Sequence, residues 1–128
     1  MSTIGHPLSD LNNLLMPFLT ASSEKAVSIG RANKAFQPGA TRGLPSLEQL
    51  ISWYSELAGW DPAPVMTWGD AFGLYRAAII MQGIAARYAL RQASSAKAME
   101  YGSQMRPMAE IAWDLVQQYK KTHGKSKL

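Results

Sequence analysis

The chain has 128 residues, 47% of them hydrophobic, with four tryptophans and a formal net charge of +4. That is the size and composition of one folded domain, and it excludes an intrinsically disordered chain. No cysteine is present, which removes disulfide frameworks, thiol nucleophiles and thiolate metal sites. Lys120, Lys121, Lys125 and Lys127 supply the excess positive charge, so the body is near neutral and the basic balance belongs to the C-terminal tail.

In chain order, Leu8, Leu11, Leu14, Leu15 and Phe18 recur at spacings of three and four, and Pro7 suits a first helical turn, so the pattern predicts an amphipathic helix over about 7–19. Residues 20–44 lose that periodicity and close on Gln37-Pro38-Gly39 and Arg42-Gly43. They read as a long loop with room for one short helix around Ala26. Ser46 with Gln49 three residues on forms a capping box, which predicts a helix over 46–58 ending at Gly59. Pro62 and Pro64 are expected to block an earlier start for the next helix. Thr67 is expected to cap it, with Asp70 set against the N-terminal dipole.

That helix, about 67–92, carries Phe72, Leu74, Tyr75, Ala78, Ile79, Ile80, Met81, Ile84, Ala85, Tyr88 and Leu90 around most of its circumference. It is expected to be the buried centre of the domain. A last helix, about 95–121, carries Met105, Met108, Ala112, Leu115 and Tyr119 as one stripe and is expected to kink at Pro107. No alternating strand pattern of useful length occurs, so the fold class is all-α with four main helices. The longest apolar stretch, 77–86, is short and broken by Gln82, and no signal peptide is visible, which argues for a soluble protein and against a membrane partner. Residues 122–128 read as a flexible tail ending in Ser126-Lys127-Leu128, the tripeptide a peroxisomal import receptor reads. Delivery to the peroxisomal matrix is the expectation.

The residues offer little catalytic chemistry. His6 and His123, one near each end, give no Ser-His-Asp set and no metal-ligand pair, and no acidic cluster would hold a metal. Gly124-Lys125-Ser126 imitates the end of a phosphate-binding loop without the upstream glycine or strand. Nucleic-acid binding is disfavoured because the tail lysines are not interleaved with aromatics. Arg76, Gln82 and Arg87 lie on the long apolar helix and need partners if buried. Either Arg76 and Arg87 pair with acids such as Asp10, Glu48, Glu56 or Asp114, or these residues line a cleft for an anionic or hydroxylated ligand. Trp53, Trp60, Trp68 and Trp113 are expected to be core anchors rather than stacking platforms.

Several blocks together carry a resemblance: residues 4–11, reading Ile-Gly-His-Pro-Leu-Ser-Asp-Leu; residues 43–50 with Tyr54; Trp68, Ala71-Phe72, Leu74-Tyr75-Arg76 and Gln82-Gly83-Ile84; then Gln92-Ala93-Ser94-Ser95, Met99, Gly102 and Pro107. In this order they resemble the C-terminal helical part of the aminoglycoside phosphotransferase and choline kinase-like family, in particular the subgroup associated with acyl-CoA dehydrogenases, up to about Tyr119.

The resemblance implies a phosphotransferase that moves the γ-phosphate of MgATP onto a hydroxyl of a small metabolite, plausibly a hydroxyacyl-CoA. It also implies a separate ATP lobe, a catalytic loop and a metal-binding Asp, none of which has a counterpart here. A chain without them is expected to bind no nucleotide cofactor or metal and to be inactive alone, a truncated gene product or a remnant. By the same resemblance Asp10 matches the acid that braces the catalytic loop, while Trp68, Phe72, Arg76, Gln82 and Arg87 fall on the helix that helps wall the acceptor cleft. Three positions depart from the family pattern: His6 where Asp is usual, Trp60 where Arg is usual, and Arg91 where Gly is usual. The alternative is a non-catalytic helical interaction module of the peroxisome, whose exposed apolar face meets the missing lobe or a second copy.

Overall fold

A computed structural model describes residues 5–21, 23–28, 30 and 32–124; the tripeptide Ser126-Lys127-Leu128 lies outside the described residues. The helices are α1 (Leu8–Ala21), α2 (Glu24–Ser28), α3 (Leu47–Ala58), α4 (Met66–Ala89) and α5 (Ala98–His123), with single 3₁₀ turns at Lys34–Phe36 and Ala63–Val65. No strand occurs among the described residues, so the protein is all-α, as the periodicity predicts. The chain divides into two compact units, one ending at Asp70 and one starting at Ala71, with α4 running out of the first into the second.

In the first unit α1 supplies the core. Leu8, Leu11 and Leu15 are buried with Met66, and Phe18, Leu47, Leu50, Ile51, Tyr54, Trp60 and Val65 pack around them. Leu14, expected in the same stripe, is 68% exposed, while Asn12 takes a buried position on the apolar face. The helix outruns its predicted end because Pro17 is tolerated inside it, and the Thr20 hydroxyl donates back to the Met16 carbonyl at 3.0 Å.

The long loop is more ordered than its composition suggests. The short helix expected near Ala26 is α2, with Ala26 fully buried. Phe36 of the 3₁₀ turn meets Phe18 edge to face at 5.0 Å, and the Gln37 side-chain amide donates to the Ala21 carbonyl at 3.2 Å. That last bond satisfies one of the carbonyls orphaned at the end of α1.

Helix α3 starts and stops as its sequence dictates. The Ser46 hydroxyl accepts from the Gln49 amide at 3.2 Å, and the Gln49 side chain accepts from the Ser46 amide at 2.9 Å. Gly59 then adopts the left-handed conformation, φ 65°, and its N–H closes on the Ser55 carbonyl. We expect Ser46→Ala to lower stability by about 1 kcal/mol in urea unfolding, the usual worth of such a cap.

Helix α4 begins at Met66, after both prolines as expected, and Pro62 and Pro64 build the 3₁₀ turn that leads into it, since the proline φ already suits a first helical turn. Just before that turn the Asp61 carboxylate accepts from the Ala63 amide at 2.9 Å. Thr67 therefore sits inside the helix rather than capping it, and Asp70 is spent on a different contact.

In the second unit α4 is not a rod buried on all sides. Ala71, Leu74, Ala78 and Met81, spaced three and four apart, form one buried stripe, whereas Phe72, Tyr75, Ile79, Ile80, Tyr88 and Leu90 are 45–67% exposed. Apolar content alone predicted a fully covered helix; the chain provides cover for one side only. Helix α5 buries Gln104, Met108, Ile111 and Ala112, with Met105, Leu115 and Tyr119 half-buried in the expected stripe. It starts at Ala98 rather than Ser95, because Ser95 forms the preceding turn by accepting from Lys97 and Ala98. The helix continues through Pro107 as far as His123, which stacks on Tyr119 at 4.0 Å. Gly102 lets α5 approach α4 closely, since a Cβ there would stand 3.0 Å from that of Ala85.

The exit from α4 is a six-residue capping motif. The Gln92 amide donates to the Arg87 carbonyl at 2.8 Å and the Arg91 amide to the Tyr88 carbonyl at 3.0 Å, with Arg91 left-handed at φ 56°. This is the Schellman arrangement with arginine at the position that glycine fills most easily. Of the tryptophans expected to anchor the core, only Trp60 does so; Trp53, Trp68 and Trp113 are 51–60% exposed.

Candidate functional site

The predicted site residues occupy the outer surface rather than a buried cleft. Asp10 is exposed in the first turn of α1. Trp68 is 51% exposed in the first unit and Phe72 is 45% exposed in the second. Arg76 is half-buried, while Gln82 and Arg87 are exposed, so the desolvation that was expected to force partners on these last two does not arise. At about 1.5 Å per residue, Phe72 and Arg87 are roughly 22 Å apart along α4. Only an extended ligand could touch both. Phe72 and Arg76 lie near the start of the helix's run in the second unit, and Arg87 lies near its end.

An ion pair joins Arg106 to Glu110 at 2.9 Å, one turn apart on α5. Arg76 and Asp114 each have interaction partners. No carboxylate pairs with Arg87 among the described residues.

Sequence reasoning missed a polar cluster where α1 crosses the start of α4 within the first unit. The Asn12 side-chain amide donates to the Asp70 carboxylate at 2.5 Å, and Asn12 is 2% exposed. Its Oδ1 is buried without a hydrogen-bond partner among the described residues. Gly69 makes the approach possible, because a Cβ there would lie 2.6 Å from that same oxygen. Burial raises the Asp70 carboxyl to about 6, and the Asn12 hydrogen bond pulls the other way. The signal was present in the sequence: Asn12 lies one turn from Leu8 on the apolar face of α1, where a polar residue requires a partner.

His6 and Trp60, two positions at which the sequence departs from the resemblance, touch each other edge to face at 5.8 Å. Where the resemblance implies an acid and a base, this chain holds a ring pair. Among the described residues no group of three or more His, Asp or Glu gathers where a metal could sit, and no helix is long and apolar enough to cross a membrane.

Comparison with known proteins places the chain inside much larger relatives. It is 32% identical over 114 residues to acyl-CoA dehydrogenase family member 10 of Mus musculus, covering 89% of this chain and 10% of that protein. It is 30% identical over 116 residues to acyl-CoA dehydrogenase family member 11 of Homo sapiens, covering 90% of this chain and 14% of the relative, and 31% identical to the Gallus gallus counterpart over the same length. The chain thus spans a tenth to a seventh of the length of the curated relatives it matches. No protein-family model matches, and no solved structure matches.

Proposed function

We propose that this chain is the acceptor-side helical lobe of a kinase-like phosphotransferase that transfers the γ-phosphate of MgATP to a hydroxyl of a small metabolite, a hydroxyacyl-CoA being the favoured substrate. The observation that carries the reading is the collinear similarity of nine-tenths of the chain to one stretch of proteins named for acyl-CoA dehydrogenases. The outer face of α4 agrees with it: exposed Phe72, Tyr75, Ile79 and Ile80 suit a helix that a further part of a larger protein would cover. In this role Phe72 and Arg76 face the acceptor, and Asp10 braces a catalytic loop supplied by the rest of the enzyme. Delivery to the peroxisome through Ser126-Lys127-Leu128 belongs to the same reading.

The 128-residue chain alone should neither phosphorylate a hydroxyacyl-CoA nor gain thermal stability from MgATP, because charge neutralisation by metal and phosphate-binding groups is what drives phosphoryl transfer. Put in place of the matched stretch in the full-length Mus musculus relative, it should consume ATP in the presence of acceptor. Turnover by the chain alone, or a chimera that folds by circular dichroism yet phosphorylates no hydroxyacyl-CoA, would sink the proposal. A second reading, a non-catalytic interaction module that self-associates, draws on the same exposed face of α4.

A further inference from the structure

We propose that the turn joining α4 to α5 is a binding site for a phosphate group carried by a small soluble ligand. The site lies wholly within the second unit and stands whether or not the chain is part of a kinase. Residues 87–97 include Arg87, Arg91 and Lys97 and no acidic residue, and Glu100 follows in the first turn of α5. Of these three cations Arg87 lines a cavity of about 360 Å³, beside Gln92, Ser94, Ser95, Ala98 and Tyr101. That volume falls in the range of small-molecule sites.

The donor set suits a phosphate. A guanidinium offers a planar fork of N–H groups to phosphate oxygens, and hydroxyls complete the shell. Ser95 is already oriented: its Oγ accepts from the Lys97 amide at 3.2 Å, which leaves its O–H proton to donate elsewhere.

Arg91 lines an adjoining cavity that shares Ala93 as a wall, and its backbone is left-handed because it caps α4. Glycine there would ease the backbone and remove the charge together.

The test titrates sodium phosphate into the ¹⁵N-labelled 128-residue chain at constant ionic strength. Saturable shifts of the Ser94, Ser95 and Met99 amides are expected, with affinity falling about tenfold in Arg87→Ala. Ser94→Ala should weaken binding without unfolding the chain, since Ser94 is exposed, and Arg106→Ala should leave binding unchanged because Arg106 is engaged by Glu110. Arg91→Gly should raise the thermal midpoint while weakening phosphate binding. Shifts that do not saturate, an Arg87→Ala variant that binds as well as the parent, or tighter binding by Arg91→Gly would overturn the proposal. Binding to phosphatidylcholine vesicles containing phosphatidic acid, with no response to soluble phosphate, would equally overturn it in favour of a membrane surface.

Discussion

Gly69→Ala should destabilise the protein by about 2 kcal/mol, although alanine is the better helix former by about 1 kcal/mol. The added methyl would stand 2.6 Å from Asn12 Oδ1 and 3.1 Å from its Cγ. Asn12 is a short side chain, almost fully buried and already held by Asp70, so it cannot swing clear. Moving it means overpacking, at about 1–3 kcal/mol, together with losing the hydrogen bond to a half-buried carboxylate. The decisive measurement is a double-mutant cycle by urea unfolding. With Asn12→Ala in the background the clash and the bond are both gone, and Gly69→Ala should turn neutral or stabilising. The same loss in both backgrounds would show that the close approach is not what requires glycine.

The second large effect is on pH dependence. Asp70 has a carboxyl raised from the ordinary 3.8 to about 6 when folded, so the folded chain holds a proton that the unfolded chain releases earlier. Below about pH 4 both states are protonated and this contribution to stability is complete. Between about pH 4 and 6 the unfolded state ionises first and the contribution drains away; above 6 it is gone. The thermal midpoint should therefore rise as the pH falls from 7 to 5, by a stability increment on the order of 1–2 kcal/mol after allowance for the solvent that screens a partly exposed carboxylate. Glu48 works in the opposite sense at lower pH, because backbone and Ser46 hydrogen bonds hold its carboxyl below the ordinary value and are lost on protonation. Asp70→Asn should flatten the profile between pH 5 and 7. An unchanged slope in that variant would assign the dependence to another group.

Local rules of the chain were readable where a few adjacent residues suffice. The Ser46 to Gln49 box, the Gly59 stop and the short helix at Ala26 all depend on neighbours in sequence, and all are found. Contacts between distant residues were not readable in the same way. Asn12 and Asp70 are 58 positions apart, and nothing in either segment names the other. The expected burial of α4 failed for a related reason. Hydrophobic periodicity tells which surfaces avoid water but not whether the chain contains their cover, so Phe72, Tyr75 and Ile79 read as core and lie exposed. The candidates on α4 were legible as polar or aromatic interruptions, while their separation along the helix axis required a defined backbone. Arg91 was visible as a departure from a resemblance; only the φ of 56° gives that departure a physical meaning.

The strain at Arg91 has a genetic corollary. Every arginine codon becomes a glycine codon by a single base change, so the substitution that would relax this turn is among the easiest for the gene to reach. A chain that keeps arginine there forgoes a readily available gain in folding robustness. The α4 to α5 turn is thus a place where drift toward greater stability and retention of charge pull in opposite directions, and sequencing of natural variants at this codon would show which has prevailed.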